Sequence, residues 1–159
     1  MAVSEVRHKA VTNSKNSVLS GRIESVLSMK ITQALLDDLT AQAKASPRLR
    51  MNYNFHQSLD DKCHRFLNAV EPGTKVEIHR HKVDEMFVVL QGRVKVTIHN
   101  DKGEVIQSVE LSPFCGNYAV NIKAGEWHSL TCEEPNTVIM EVKEGPYVPH
   151  EIGGILKVK

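Results

Sequence analysis

The chain has only three cysteines, Cys63, Cys115 and Cys132, an odd number with no paired spacing. That excludes a disulfide framework and fits reduced thiols. Net charge is also nearly absent: 20 Lys and Arg against 19 Asp and Glu leave +1 at pH 7. The basic residues are scattered and aromatics make up 5% of the chain, so there is no arginine-rich stripe and no stacking ladder for bases. Nucleic acid is excluded as a partner on that ground. No apolar run approaches the ~20 residues that a membrane span requires. Near the start, Glu5, Arg7, Lys9, Lys15, Arg22 and Glu24 break up any apolar stretch a secretory signal would need. These absences make a cytoplasmic protein with no membrane partner the expectation. What is present suits one small globular domain: 159 residues, 41% hydrophobic and 25% charged, can bury a core.

Residues 1–28 are rich in Ser, Asn and Lys, lack sustained periodicity, and read as a flexible N-terminal extension. From Met29 onward Ile31, Leu35, Leu36, Leu39 and Ala43 recur at helical spacing, which predicts a helix within residues 29–48 that stops before Pro47. A β-rich domain follows over 49–149, with a tail at 150–159. Its short runs are separated by turn signals at Gln91-Gly92, Asn100-Asp101-Lys102-Gly103, Ser112-Pro113 and Glu133-Glu134-Pro135-Asn136. Such spacing predicts a mainly β fold, an antiparallel barrel or sandwich. Met86-Phe87-Val88-Val89-Leu90 does not alternate, so both faces of that strand need cover. If Glu85, Phe87 and Val89 face inward, then Met86, Val88 and Leu90 require the helix or a second subunit, and a homodimer is expected.

One spacing carries the chemistry. Gly73 is followed after five residues by His79-Arg80-His81, after three more by Glu85, and after six more by Gly92. On a strand, His79 and His81 project from one face, and a break at Lys82 to Asp84 returns Glu85 beside them. Two imidazoles and a carboxylate inside an apolar strand pair are costly to bury alone, and one divalent cation satisfies all three. Other histidines lack this context. In Val94-Lys95-Val96-Thr97-Ile98-His99 the apolar residues claim the inward face, and His8 and His150 lie in patternless segments.

The spacing resembles the first cupin motif at every defining position. A second, partial motif follows at Gly125 and His128, and the resemblance implies His128 as the fourth ligand. Lys123 stands where that motif has Pro, Gly116 comes one residue early, and Cys132 takes the place of Asn. Residues from about Met29 to Tyr147 also resemble WbuC-type cupin fold metalloproteins, which are associated with bacterial surface-polysaccharide gene clusters. That resemblance rests on Met29-Lys30-Ile31, on Ser46 through Asn52 with Asn54 and His56, on His64-Arg65 with Leu67-Asn68-Ala69, and on Glu141 through Tyr147. It implies a single RmlC-like jelly roll, an antiparallel β-barrel with a short N-terminal helix, binding one metal ion.

Three His and one Glu leave a six-coordinate ion two open positions, whereas tetrahedral Zn would be full and structural. Fe, Mn, Ni and Zn all suit the donors. A divalent ion there keeps a net charge near +1, which favours an anionic or enolisable ligand. Arg50, Asn52 and Asn54 are candidates for binding a small-molecule substrate, and His56, Arg65 and Tyr147 for catalysis, with His56 as acid or base. The competing reading of 50–65 is a solvated loop ion-paired to Asp60 or Asp61. Trp127 reads as a packing anchor, and Cys132 as a small buried hydrophobe rather than a cavity-lining thiol. The expected function is a metal-dependent enzyme of isomerase, epimerase or dioxygenase type acting on a sugar or carboxylic acid. The alternative is a non-catalytic ligand-binding cupin with a structural metal.

Overall fold

The computed structural model describes residues 29–148 and 154–157. The chain divides into two units, 1–30 and 31–159. Of the first only Met29 and Lys30 are described, so the extension expected over 1–28 lies outside the described residues, as does His150.

Helix α1 spans Gln33–Ala45, shorter than the 29–48 stretch predicted for it. Thr32 is the reason for the late start: its backbone is extended, and its hydroxyl accepts the Leu35 N–H at 3.3 Å, capping an otherwise orphaned donor. Pro47 explains the stop, because it disfavours helical geometry at the residue before it, and Ser46 is extended. Leu36, Leu39, Thr40 and Ala43 form the buried stripe.

Eight strands follow: β1 Arg50–Asn54, β2 Cys63–Val70, β3 Glu85–Gln91, β4 Val94–His99, β5 Val105–Leu111, β6 Ala119–Ile122, β7 Trp127–Cys132 and β8 Thr137–Glu144. They make two antiparallel sheets, one ordered β1-β2-β8-β3-β6 and one ordered β5-β4-β7. The fold is therefore mainly β as expected, but the described residues form two sheets rather than one closed ladder. Side chains alternate across each strand. One set, including Val70, Phe87, Val89, Val96, Leu111, Ile122, Leu130 and Ile139, joins residues of both sheets in the main core. The other set on the five-stranded sheet, including Leu67, Ala69 and Val138, meets Leu36, Leu39 and Ala43 of α1. The helix thus covers Leu90, as the unalternating strand required, while Met86 stays 41% exposed.

Gly92 turns β3 into β4 at φ +77°, a conformation side chains rarely adopt, and an added Cβ would sit 2.1 Å from Thr137 Oγ1 and 2.7 Å from its Cα. That glycine lets the chain pass from β3 in the five-stranded sheet to β4 in the three-stranded sheet with its backbone close against Thr137, the first residue of β8.

Candidate metal centre

The ligand-bearing segments are positioned largely by backbone bonds. His79 does not lie on a regular strand, contrary to expectation: it makes isolated bridges with His128 and with Ile155. The segment is held on one side by β7, through His79 N–H to His128 O at 2.9 Å and the reverse bond at 2.8 Å. On its other side Arg80 N–H reaches Gly154 O and Leu156 N–H reaches Ile78 O. Two short partners satisfy the backbone without building a ladder. His81 O accepts from Gly125 N–H at 2.8 Å, so the turn that carries the chain to His128 is fastened to the His-Arg-His segment. Asp84 reinforces this, accepting from Ala124 N–H at 3.0 Å and Lys123 Nζ at 2.9 Å. Lys123, which departs from the motif's Pro, thereby ties the 82–84 break to the second motif.

Glu85 opens β3 and His128 sits on β7, each 1% exposed. One ligand atom from each of His79, His81, Glu85 and His128 can be chosen so that all lie within 4.8 Å of one another. Two of the rings have their tautomer set by carbonyls. His79 Nδ1 is 2.8 Å from Glu77 O, and His128 Nδ1 is 3.0 Å from Glu126 O. A carbonyl only accepts, so each Nδ1 carries the proton and each Nε2 of a neutral ring is left with its lone pair. Burial, then the neighbouring His128, pushes the His79 pKa down to about 3, so its ring is neutral near pH 7.

Glu85 Oε2 lies 3.1 Å from His128 Nε2, yet neither buried atom has a hydrogen-bond partner. Two lone-pair atoms buried face to face repel unless a cation joins them, and atoms bound to one ion at roughly 2.1 Å are spaced about this far apart. The donor set therefore fits a divalent metal, with Fe, Mn, Ni and Zn all compatible.

The sequence reading missed two charged residues beside the site. The β3–β8 register places Lys143 opposite Glu85. Lys143 Nζ is 3.0 Å from Glu85 Oε1 and 2.8 Å from Glu141 Oε1. Burial alone would raise the Glu85 carboxyl, but His128 and Glu141 beside it and the charge of Lys143 hold it well below the usual carboxylate range. Glu141 goes the other way, pushed well above that range by burial and then by Glu85. Burial acts to lower the Lys143 pKa, but the two carboxylates outweigh it and raise it. The available signal was Glu141-Val142-Lys143, two charges at strand alternation within an apolar run.

The remaining candidates are placed less uniformly. Arg50, Asn52 and Asn54 alternate with Met51 and Tyr53, which pack in the helix-side cluster, so the three polar side chains take the other face of β1. Their register partners are Val70, Asn68 and Phe66, and Phe66 is in turn opposite Glu141. Arg50 is half-buried, its pKa lowered by burial and Arg48 and partly restored by Glu141. His56 is buried, stacks on His64 with ring centroids 4.2 Å apart, and bonds through Nδ1 to the Arg65 backbone. Arg65 itself is exposed, between His64 and Phe66 in the alternation, so its side chain takes the opposite face of β2. Tyr147 is exposed, tied by its N–H to Leu59 O at 2.7 Å. The structure brings His79, His81, Glu85 and His128 together, while Arg65 and Tyr147 are exposed.

Other readings are settled by the packing. Trp127 is buried under the Arg80 guanidinium at 4.2 Å and donates to Asp101 at 2.9 Å, the anchor it was read to be. His99 is satisfied by Gly103 O and Ser129 Oγ. Cys132 lies in the main core with burial raising its pKa. A surface groove lined by Gln33, Asp37, Lys44, Gln91 and Glu134 shares no residue with the ligand cluster.

Similarity to known proteins agrees with this architecture. A cupin superfamily protein from Desulfitobacterium hafniense is 17% identical with a TM-score of 0.52, over 67% of this chain and 86% of its own. KdgF from a Halomonas species is 16% identical with a TM-score of 0.50, over 62% of this chain and 82% of its own. The TT1209 protein from Thermus thermophilus is 23% identical with a TM-score of 0.52, over 73% of this chain and 97% of its own. At these identities the likeness shows the fold, that of a cupin. No curated protein matches the sequence. No helix among the described residues is long and apolar enough to cross a membrane. The family model described as a domain of unknown function, DUF6016, matches residues 31–111, about half of the chain, and the chain therefore belongs to that family.

Proposed function

We propose that this protein is a metal-dependent cupin enzyme that holds one divalent ion on His79, His81, Glu85 and His128 and acts on a small polar metabolite, a sugar or a carboxylic acid. The observation that carries the metal is the pair of buried, unpartnered atoms Glu85 Oε2 and His128 Nε2 at 3.1 Å. When bound, the ion supplies Lewis-acid polarisation of a carbonyl or similar oxygen. Arg50, Asn52 and Asn54 bind substrate in this reading, supported by their sharing a face of the five-stranded sheet with Glu141 and Lys143. His56, its pKa lowered first by burial, is a neutral ring suited to accept a proton. Arg65 and Tyr147 take part only if the substrate extends beyond the ligand cluster. The resemblance to WbuC-type proteins supports a role in surface-polysaccharide metabolism; a cytoplasmic location and a homodimer belong to the same proposal, the second supported by Met86, which stays 41% exposed on β3.

A second reading, a ligand-binding cupin with a structural metal, is favoured by one observation: Glu85 and His128 belong to different sheets, so a shared ion would join them. Elemental analysis of protein purified without added metal, beside a His79→Ala, His81→Ala double variant, tests the common premise. Near one equivalent in the wild type and none in the variant supports it, and none in either sinks it. Glu85→Gln then separates the readings, since an enzyme loses turnover and keeps its fold, whereas a structural site loses thermal stability with no turnover to lose.

A further inference from the structure

Glu85 is held unevenly. Its Oε2 faces His128 Nε2 with no hydrogen-bond partner, while its Oε1 accepts from Lys143 Nζ at 3.0 Å. That second oxygen is not remote from the ligand set, since His81 Nε2 is 3.7 Å away. Lys143 engages that oxygen directly and so competes with its joining Oε2 on one ion. Lys143 is in turn fixed, bonded to Glu141 Oε1 at 2.8 Å on a strand paired in register with β3, and lying 5.6 Å over the Phe66 ring.

We infer that Lys143 is a positioning residue that keeps Glu85 a one-oxygen ligand and so preserves two open coordination positions at the metal, the places where an oxygen-bearing substrate binds. The inference rests on the metal reading above. Three imidazoles and one carboxylate oxygen fill four of six positions, whereas both carboxylate oxygens would leave one. Lys143 acts through Glu85 rather than on substrate, and the charge it brings also neutralises one of the two carboxylates crowded at the site.

The test is a count of exchangeable waters. Wild type, Lys143→Met and Lys143→Arg are each loaded with Mn(II), and inner-sphere water is read from proton relaxation, with circular dichroism of the metal-free proteins as a check on folding. Wild type is expected to hold two waters, Lys143→Met one, with inner-sphere relaxivity lowered by about half, and Lys143→Arg, which keeps a donor, close to wild type. Where Lys143→Met does not fold, Lys143→Leu, shorter, neutral and without a donor, carries the same expectation. Equal relaxivity in wild type and the neutral variants overturns the role of Lys143 and leaves the metal site standing. A wild type that takes up no Mn(II) overturns both.

Discussion

Removing the metal should loosen the contact between the two sheets, and the structure sets the size of the effect. The metal-free protein buries two polar atoms, Glu85 Oε2 and His128 Nε2, without partners. Each such atom costs about 1–3 kcal/mol, so an ion that satisfies both contributes about 2–6 kcal/mol. Mass action reaches about 2.7 kcal/mol at a hundredfold excess over Kd and about 4.1 at a thousandfold. For a chain of this size each kcal/mol moves Tm by roughly 2–4 °C, so saturation should raise Tm by about 5–20 °C. The assay is thermal denaturation by circular dichroism of chelator-treated protein, alone and with increasing Mn(II), Co(II) or Zn(II). His128→Ala removes one of the two atoms together with a ligand, so its metal-free form should not show the wild-type gain when metal is added. A wild type whose Tm is indifferent to all three ions, or a His128→Ala protein with the same gain, would refute the reasoning.

Three further outcomes follow from local packing. Gly92→Ala should lower stability by at least the roughly 1–2 kcal/mol of a left-handed residue, read as a fall in Tm, because the added methyl also meets the Thr137 backbone. Of the three thiols, exposed Cys63 and Cys115 should react rapidly with a thiol reagent in the native state, and buried Cys132, its pKa raised by burial, only on unfolding. Asp84, hydrogen-bonded first by Lys123 and then by Ala124 N–H, has its pKa lowered from 3.8. A group depressed in this way stabilises the fold above its unfolded pKa and loses that contribution as pH falls through the folded value. The Tm difference between wild type and Asp84→Asn should therefore be full at pH 7 and shrink below pH 3.8.

How far the chain could be read from its residues depended on the range of the interaction. Helix α1 was visible in the spacing of Leu35, Leu36, Leu39 and Ala43, but its start was misplaced, because the capping bond from Leu35 to Thr32 outweighs the apolar run that begins at Met29. The candidate metal ligands His79, His81 and Glu85 were legible because they sit at a spacing that little besides a shared cation explains. Arg65 was chosen from a polar stretch and Tyr147 for its place in the Gly-Pro-Tyr turn, whereas which way each side chain faces was set by strand alternation and packing, and both are exposed.

By itself, then, the sequence determined the β-rich class, the grouping of His79, His81 and Glu85 and the turn at Gly92, all properties of local spacing and backbone conformation, while His128 came from the resemblance to a second motif. Only the tertiary structure decided that Lys143 meets Glu85. Those residues are far apart in the chain, and the β3–β8 register alone makes them neighbours. It also decided that Lys123 belongs to Asp84, and that one buried oxygen of Glu85 is satisfied while the other is left facing His128. Such pairings depend on which strands lie side by side, and pairing register is set by how the whole core packs, which no short stretch of residues encodes.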